Sequence, residues 1–185
     1  MPSMAAVVNA TLEAAPRLVV MGVSGCGKST VGRLLAQALA LPYVEGDELH
    51  PARNVALMAA GTALTDDDRD DWLAAVARTV CEAGKGGLVI SCSALRRRYR
   101  DRLRESAPNL RLVYLHGSAE LLASRMAQRS GHYMPPSLLQ SQLLTLETPG
   151  ADESALMADI ARAPEDIVAA LRAQITELQL EKLHP

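Results

Sequence analysis

The sequence predicts an α/β layer fold, with a mostly parallel five-stranded sheet and helices on both faces. Three observations carry this. Short aliphatic runs alternate with longer stretches of 3.6-residue periodicity, the pattern of strand–helix–strand units. The runs are apolar throughout rather than every second residue, as strands covered on both faces must be. A chain of 185 residues, 49% hydrophobic and 22% charged, is also long enough for one domain with a sizeable core but short for two.

Taken in order, residues 1–16 ("MPSMAAVVNATLEAAP") lack the basic start and long apolar run of a leader and read as an N-terminal tail. A single domain is expected over residues 17–185. "LVVM" (18–21) is the first strand. Val31, Leu34, Leu35, Ala38 and Leu39 then recur at helical spacing until Leu41-Pro42 stops the helix. "PYVEGD" (42–47) is the second strand, and helices follow over about 51–60 and 66–83, ended by Gly61 and Gly84. "GLVIS" (87–91), "LRLVYLHG" (110–117) and a weaker "ALMADI" (155–160) complete the sheet. Helices near 95–106, 118–129, 136–147 and 165–180 fill the intervals.

Several classes of function are disfavoured at this level. A net charge of −2 supplies no global field toward nucleic acid or anionic lipid. No stretch approaches the roughly 18 apolar residues of a membrane helix. Cys26, Cys81 and Cys92 are odd in number and lack CxxC spacing, so neither a disulfide framework nor a zinc site is expected, and a reducing cytoplasm fits.

The strongest local signal is "GVSGCGKST". Gly22 to Ser29 is G-x-x-x-x-G-K-S, placed after a buried strand and opening a helix, which is the context a phosphate-binding loop requires. Its N–H groups and the helix N-terminus form an anion nest. Lys28 brings a point charge to the terminal phosphates and Ser29 a hydroxyl for Mg²⁺. Gly22, Val23, Ser24, Gly25, Cys26, Gly27, Lys28, Ser29 and Thr30 are therefore the candidate nucleotide site, with Cys26 read as a small filler within it.

The loop does not choose among ATPases, GTPases and kinases. No N-K-x-D is present to read guanine, and the third strand ends in "VISCSAL" without the acid of a motor ATPase. The nearest acids are Glu45 and Asp47. Two apart in extended chain, they would face the same way at the carboxyl edge of the sheet, one able to hold hydrated Mg²⁺ and the other to take a proton from an attacking hydroxyl. That pattern favours a small-molecule kinase.

"GVSGCGKST", "GDELHPARNVALMAAG", "LTDDDRDDWL", "SCSALRRRYRDRLR" and "LETPGADE" together resemble the gluconokinase family, from about Arg17 to Ile175. The resemblance implies a three-layer P-loop kinase fold with a helical lid, related to shikimate and adenylate kinases. It implies ATP- and Mg²⁺-dependent phosphorylation of D-gluconate at its 6-hydroxyl, in a protein often found as a homodimer. Asp47 would orient and deprotonate that hydroxyl, and Glu45 would support the Mg²⁺ hydration shell. His50, Arg53 and, by the same resemblance, Arg69 would reach the sugar acid. Another aldonic acid or a shikimate-like acceptor stays open at this point, as does a nucleotide-binding module without transfer.

Three further stretches are weighed beside this. In "TDDDRDDW", Thr65 and Asp68 make a capping-box helix start, so the acids are not read as a metal site, and Trp72 is read as helix core. "SALRRRYRDRLR" carries six arginines over 96–104, most of them expected on a solvated face. Arg96, nearest the third strand, is placed at the substrate carboxylate with Ser93 beside it. Arg125 and Arg129, four apart, share one helix face; the resemblance to related kinases implies that such a pair covers the nucleotide and clamps the transferred phosphate from a lid over about 124–140. His132 in that lid has no assigned role.

Overall fold

The computed structural model describes residues 14–128 and 136–183. Its sheet comprises β1 (Arg17–Met21), β2 (Tyr43–Glu45), β3 (Leu88–Ser91), β4 (Leu110–His116) and β5 (Leu156–Asp159) in the order β2-β3-β1-β4-β5. Every pairing is parallel, so the expected "mostly parallel" sheet is wholly so. Among the described residues the helices are α1 (Lys28–Leu39), α2 (Ala52–Ala59), α3 (Asp66–Glu82), α4 (Arg97–Ser106), α5 (Ala119–Ala127), α6 (Pro136–Thr145) and α7 (Pro164–Leu183). None is long and apolar enough to cross a membrane.

Strand alternation divides the core into two layers. Leu18 and Val20 of β1 point into a cluster with Val31 and Leu35 of α1, Leu122 of α5, and Ile167 and Leu171 of α7. Val19 and Met21 point the opposite way, toward Trp72 and Val76 of α3 and Tyr99 and Leu103 of α4. Helices thus cover both faces, and β1 and β3 are buried along almost their whole length. The fifth strand reads more weakly in sequence because it is an edge: Leu156 and Ala158 are buried while Met157 is 48% exposed.

The fold begins slightly before Arg17. Ala15 N–H donates to the Lys85 carbonyl at 2.9 Å, and the Pro16 carbonyl accepts from Leu88 N–H at 3.2 Å. Residues 14–16 therefore lie against the start of β3 rather than in a tail; residues 1–13 lie outside the described residues. At the other end of the sheet, the strand carboxyl termini feed the loops after β1, β2 and β3, and these build the site.

Candidate active site

The loop after β1 turns at Gly22, whose φ of 146° lies where a side chain is strained. A Cβ there would stand 2.7 Å from both Cys26 Sγ and the Leu115 carbonyl. Cys26 is fully buried beneath the loop, so its thiol packs the turn against the core while its backbone stays in the nest. Gly27 precedes α1 in the left-handed conformation with no side-chain cap, which leaves the first-turn N–H groups of α1 to a ligand. Lys28 Nζ donates to the Val23 carbonyl at 3.1 Å.

A cavity of about 530 Å³ opens over this loop, lined by Ser24, Gly25, Gly27, Lys28, Ser29 and Thr30 and by the acids Glu45 and Asp47. Gly22 and Val23 shape the loop from below without lining it. A neighbouring cavity of about 310 Å³ lies between Gly27 and Thr30 on one side and Arg125, Arg162 and Pro164 on the other. Arg125 is held there by a 2.6 Å hydrogen bond from Nη2 to the Ile160 carbonyl. Arg129 and His132 lie outside the described residues, as does most of the expected lid.

The acids reach the cavity by a different route from the one strand alternation suggests. β2 stops at Glu45, and Gly46–Leu49 form a 3₁₀ turn, so Asp47 is not in extended chain. Gly46 is forced by contact: a Cβ would come within 1.9 Å of the Ser91 carbonyl. Its N–H donates to Ser91 Oγ at 3.3 Å and its carbonyl accepts from Trp72 Nε1 at 2.8 Å, pinning the turn between β3 and α3.

Glu45 is held by Tyr43 Oη at 2.8 Å, by Ser91 Oγ, and by Ser29, with Arg33 at 3.7 Å. Burial alone would raise its pKa, but the three hydroxyl donors and the Arg33 charge outweigh it and hold the carboxyl below its usual range. Burial pushes the Tyr43 phenol up to about 12, so it stays a donor. Ser29 and Glu45 in contact form a hard, all-oxygen donor pair. Among the described residues no group of three or more His, Cys, Asp or Glu could hold a metal unaided. Such a pair suits Mg²⁺, which typically binds through one or two protein oxygens plus substrate phosphates and water.

A third cavity, about 320 Å³, is lined by His50, Arg69, Trp72, Ser93 and Gln142 and shares Ser24, Lys28 and Asp47 with the phosphate cavity. The His50 ring stacks on Trp72 with centroids 4.3 Å apart and planes 9° from parallel. Trp72 is core, as expected, with 1% exposure, but it also backs this wall. Burial lowers the His50 pKa to about 4, with Asp47 opposing and Arg69 reinforcing the shift, so the ring is neutral at pH 7. Arg69 is braced by bonds from Nη1 to the Leu64 and Thr65 carbonyls, at 2.5 and 3.3 Å. The capping box of Thr65 with Asp68 is present and orients the start of α3.

Two expected residues stand elsewhere. Arg53 points to solvent and pairs with Asp71 at 2.7 Å, because α2 turns Asn54, one position on, to the interior. Arg96 lies 3.6 Å from Asp66 at the first turn of α3 and lines none of the three cavities. The arginine-rich helix also differs from a fully solvated face. Arg97 and Arg98 are exposed and Arg102 half-buried, each beside an acid, but Arg100 is fully buried. Its Nε and Nη2 each meet a Glu153 carboxylate oxygen at 2.7 Å, and Arg104 joins the same carboxylate at 2.5 Å. These arginines hold Glu153 down to about 2 against the opposing effect of burial.

Sequence reasoning also passed over Gln142 and Asn54. Gln142 Oε1 accepts the Ser24 N–H at 2.6 Å, tying α6 to the phosphate loop. Nothing in "SLLQSQLLT" singles that glutamine out. For Arg100 a signal existed: it shares spacing with Leu103 and Ala107, which makes the apolar stripe of α4 run through an arginine.

The AAA-domain family matches residues 18–149. The thermoresistant gluconokinase of Escherichia coli K12 is 44% identical over 155 residues, 82% of this chain and 88% of that protein. The gluconokinase of Gluconobacter oxydans 621H is 46% identical over 154 residues, 82% of this chain and 86% of that one. The crystal structure of a gluconokinase from Sinorhizobium meliloti 1021 superposes with a TM-score of 0.85 at 47% identity, covering 92% and 97% of the two chains.

Proposed function

The chain belongs to the gluconokinase family, and from that premise we propose that it transfers the γ-phosphoryl group of ATP to the 6-hydroxyl of D-gluconate, giving 6-phospho-D-gluconate and ADP. The observation that carries the proposal is the meeting of the phosphate cavity and the His50–Arg69 cavity at Lys28 and Asp47. A phosphoryl group held by the loop and a hydroxyl held in the second cavity would face each other across those two side chains.

The roles follow from position and chemistry. The loop amides and Lys28 hold the polyphosphate and balance charge gathering on the transferred group. Asp47, at the junction, orients the acceptor hydroxyl and takes its proton. Arg69 gives the sugar acid's carboxylate a forked cationic partner, while His50 and Ser93 meet its hydroxyls. Arg125, with Arg162 and Pro164, borders the cavity beyond the loop and suits the flat base of the nucleotide. When bound, Mg²⁺ would neutralise and orient the phosphate oxygens, with Ser29 and Glu45 holding it directly or through water. Arg129 would complete the clamp from the lid. A reducing cytoplasm and a homodimer accord with the cysteine content and the family resemblance respectively.

The test is ADP release measured over a panel of gluconate, other aldonic acids, shikimate and nucleoside monophosphates, with and without Mg²⁺. Mg²⁺-dependent turnover is expected on gluconate above all others. Turnover on shikimate with none on gluconate overturns the assignment, and so does ATP binding without ADP release on every acceptor.

A further inference from the structure

Which nitrogen of His50 carries the proton decides whether the wall of the acceptor cavity donates or accepts a hydrogen bond, and Asn54 answers the question. Asn54 on α2 is fully buried. Its Nδ2 lies 2.7 Å from the Asp68 main-chain carbonyl and 3.2 Å from His50 Nδ1. A carbonyl oxygen only accepts, so the amide must turn its nitrogen toward Asp68. The flipped amide would set two oxygens against each other. The orientation is kept even though it leaves Asn54 Oδ1 buried without a hydrogen-bond partner among the described residues.

With Nδ2 so fixed, its second hydrogen is available to His50 Nδ1. An amide nitrogen has no lone pair to accept a proton, so Nδ1 must be the acceptor in this contact. The ring proton then sits on Nε2. An imidazolium, protonated at both nitrogens, is incompatible with the same bond. One ring face is covered by Trp72 and the Nδ1 edge by Asn54, which leaves the opposite face and the Nε2 edge for the cavity that His50 lines. The charged groups acting on the ring are Asp47, from the turn after β2, and Arg69, from α3, while α6 adds the uncharged Ser141 and Gln142 to the same cavity.

We propose that Asn54 is a positioning residue that locks His50 as an Nε2–H donor, so the acceptor cavity presents a hydrogen to an acceptor oxygen and leaves proton abstraction to Asp47 alone. The inference rests on the acceptor-site reading above and deepens it. With its one lone pair committed to Asn54, His50 cannot compete as a general base, although it stands in the same cavity as the reacting hydroxyl. Specificity follows as well. That position favours a hydroxyl lone pair or a carboxylate oxygen and disfavours an acceptor bearing an ammonium group there.

The decisive measurement is ring tautomer by long-range ¹H–¹⁵N correlation on the ¹⁵N-labelled full-length enzyme, with His50→Gln assigning the resonance among the four histidines. A protonated Nε2 and an unprotonated Nδ1 are expected at pH 7, persisting to pH 5. A protonated Nδ1, or an imidazolium at pH 7, overturns the proposal. In kinetics, Asn54→Ala is expected to raise the acceptor KM about tenfold, the loss of one oriented hydrogen bond, with the ATP KM within twofold. In the same variant the ring proton should no longer be confined to Nε2, and the correlation spectrum should show both tautomers of His50. An unchanged acceptor KM in a folded Asn54→Ala enzyme overturns the positioning role. Because the tautomer is read without turnover, an enzyme inactive on gluconate but showing the expected ring would sink the functional proposal and leave the Asn54 assignment standing.

Discussion

Replacing Glu153 by glutamine removes one charge from a pair that water does not reach. The Arg100 side chain is 0% exposed and that of Glu153 is 1% exposed. Glutamine would keep one acceptor oxygen but turn an NH₂ toward a guanidinium whose other hydrogen-bond partners among the described residues are the Ala94 and Leu95 carbonyls. Breaking a buried pair from one side costs roughly 3–5 kcal/mol. Proton linkage gives a similar figure: a folded-state value of about 2 against an ordinary 4.5 corresponds to roughly 3 kcal/mol at neutral pH. Because the folded value lies below the unfolded one, that stabilisation is whole above about pH 4.5 and is lost as pH falls toward 2. At about 2–4 °C per kcal/mol for a chain of this size, Glu153→Gln should melt roughly 6–12 °C lower at pH 7. Thermal and urea unfolding of both proteins from pH 3 to 8 should show the gap narrowing on the acid side. The double variant Arg100→Met with Glu153→Leu should regain most of the loss. A Glu153→Gln enzyme within about 0.5 kcal/mol of wild type at pH 7, or a gap that ignores pH, would refute the reasoning.

Three further outcomes bear on the site. Lys28→Ala should lower kcat by about 10²–10³ in a steady-state ADP-release assay, and a loss under tenfold would remove Lys28 from transition-state stabilisation. Asp47→Asn should lower kcat by about 10²–10⁴ while calorimetry finds ATP affinity intact; a parallel loss of ATP affinity would move Asp47 to the nucleotide side. Arg69→Ala should raise the acceptor KM at least tenfold, on the scale of a charge-assisted hydrogen bond, whereas Arg53→Ala should leave it within about twofold. The reverse order would mean that the acceptor draws α2 inward on binding.

Reading the chain alone succeeded wherever the governing physics is local. Each strand and helix appeared within a few residues of its place, because a buried parallel strand and an amphipathic helix declare themselves by apolar runs and periodicity. The weakest, β5, was the strand with only one face to bury. The phosphate loop was legible because its function resides in backbone amides, which nine consecutive residues position without help. The Thr65–Asp68 capping box was legible for the same reason.

What escaped was the direction of long polar side chains and the partners they meet far along the sequence. Arg53 and Arg69 looked equivalent beside their motifs, yet the rotation of α2 sends one to Asp71 and the rotation of α3 brings the other to the cavity. Asp47 reaches the phosphate cavity through a 3₁₀ turn, not a strand, because Gly46 must press against Ser91, 45 residues away. Arg100 is buried because Glu153 meets it across 53 residues, and Ser24 finds Gln142 across 118. By itself the sequence determined the class of fold and the phosphate-binding element, since backbone geometry and burial pattern are short-range properties. Only the tertiary structure decided which charges face the cavity and what His50 and Asn54 pack against, since these depend on desolvation and on hydrogen-bond partners brought together by packing.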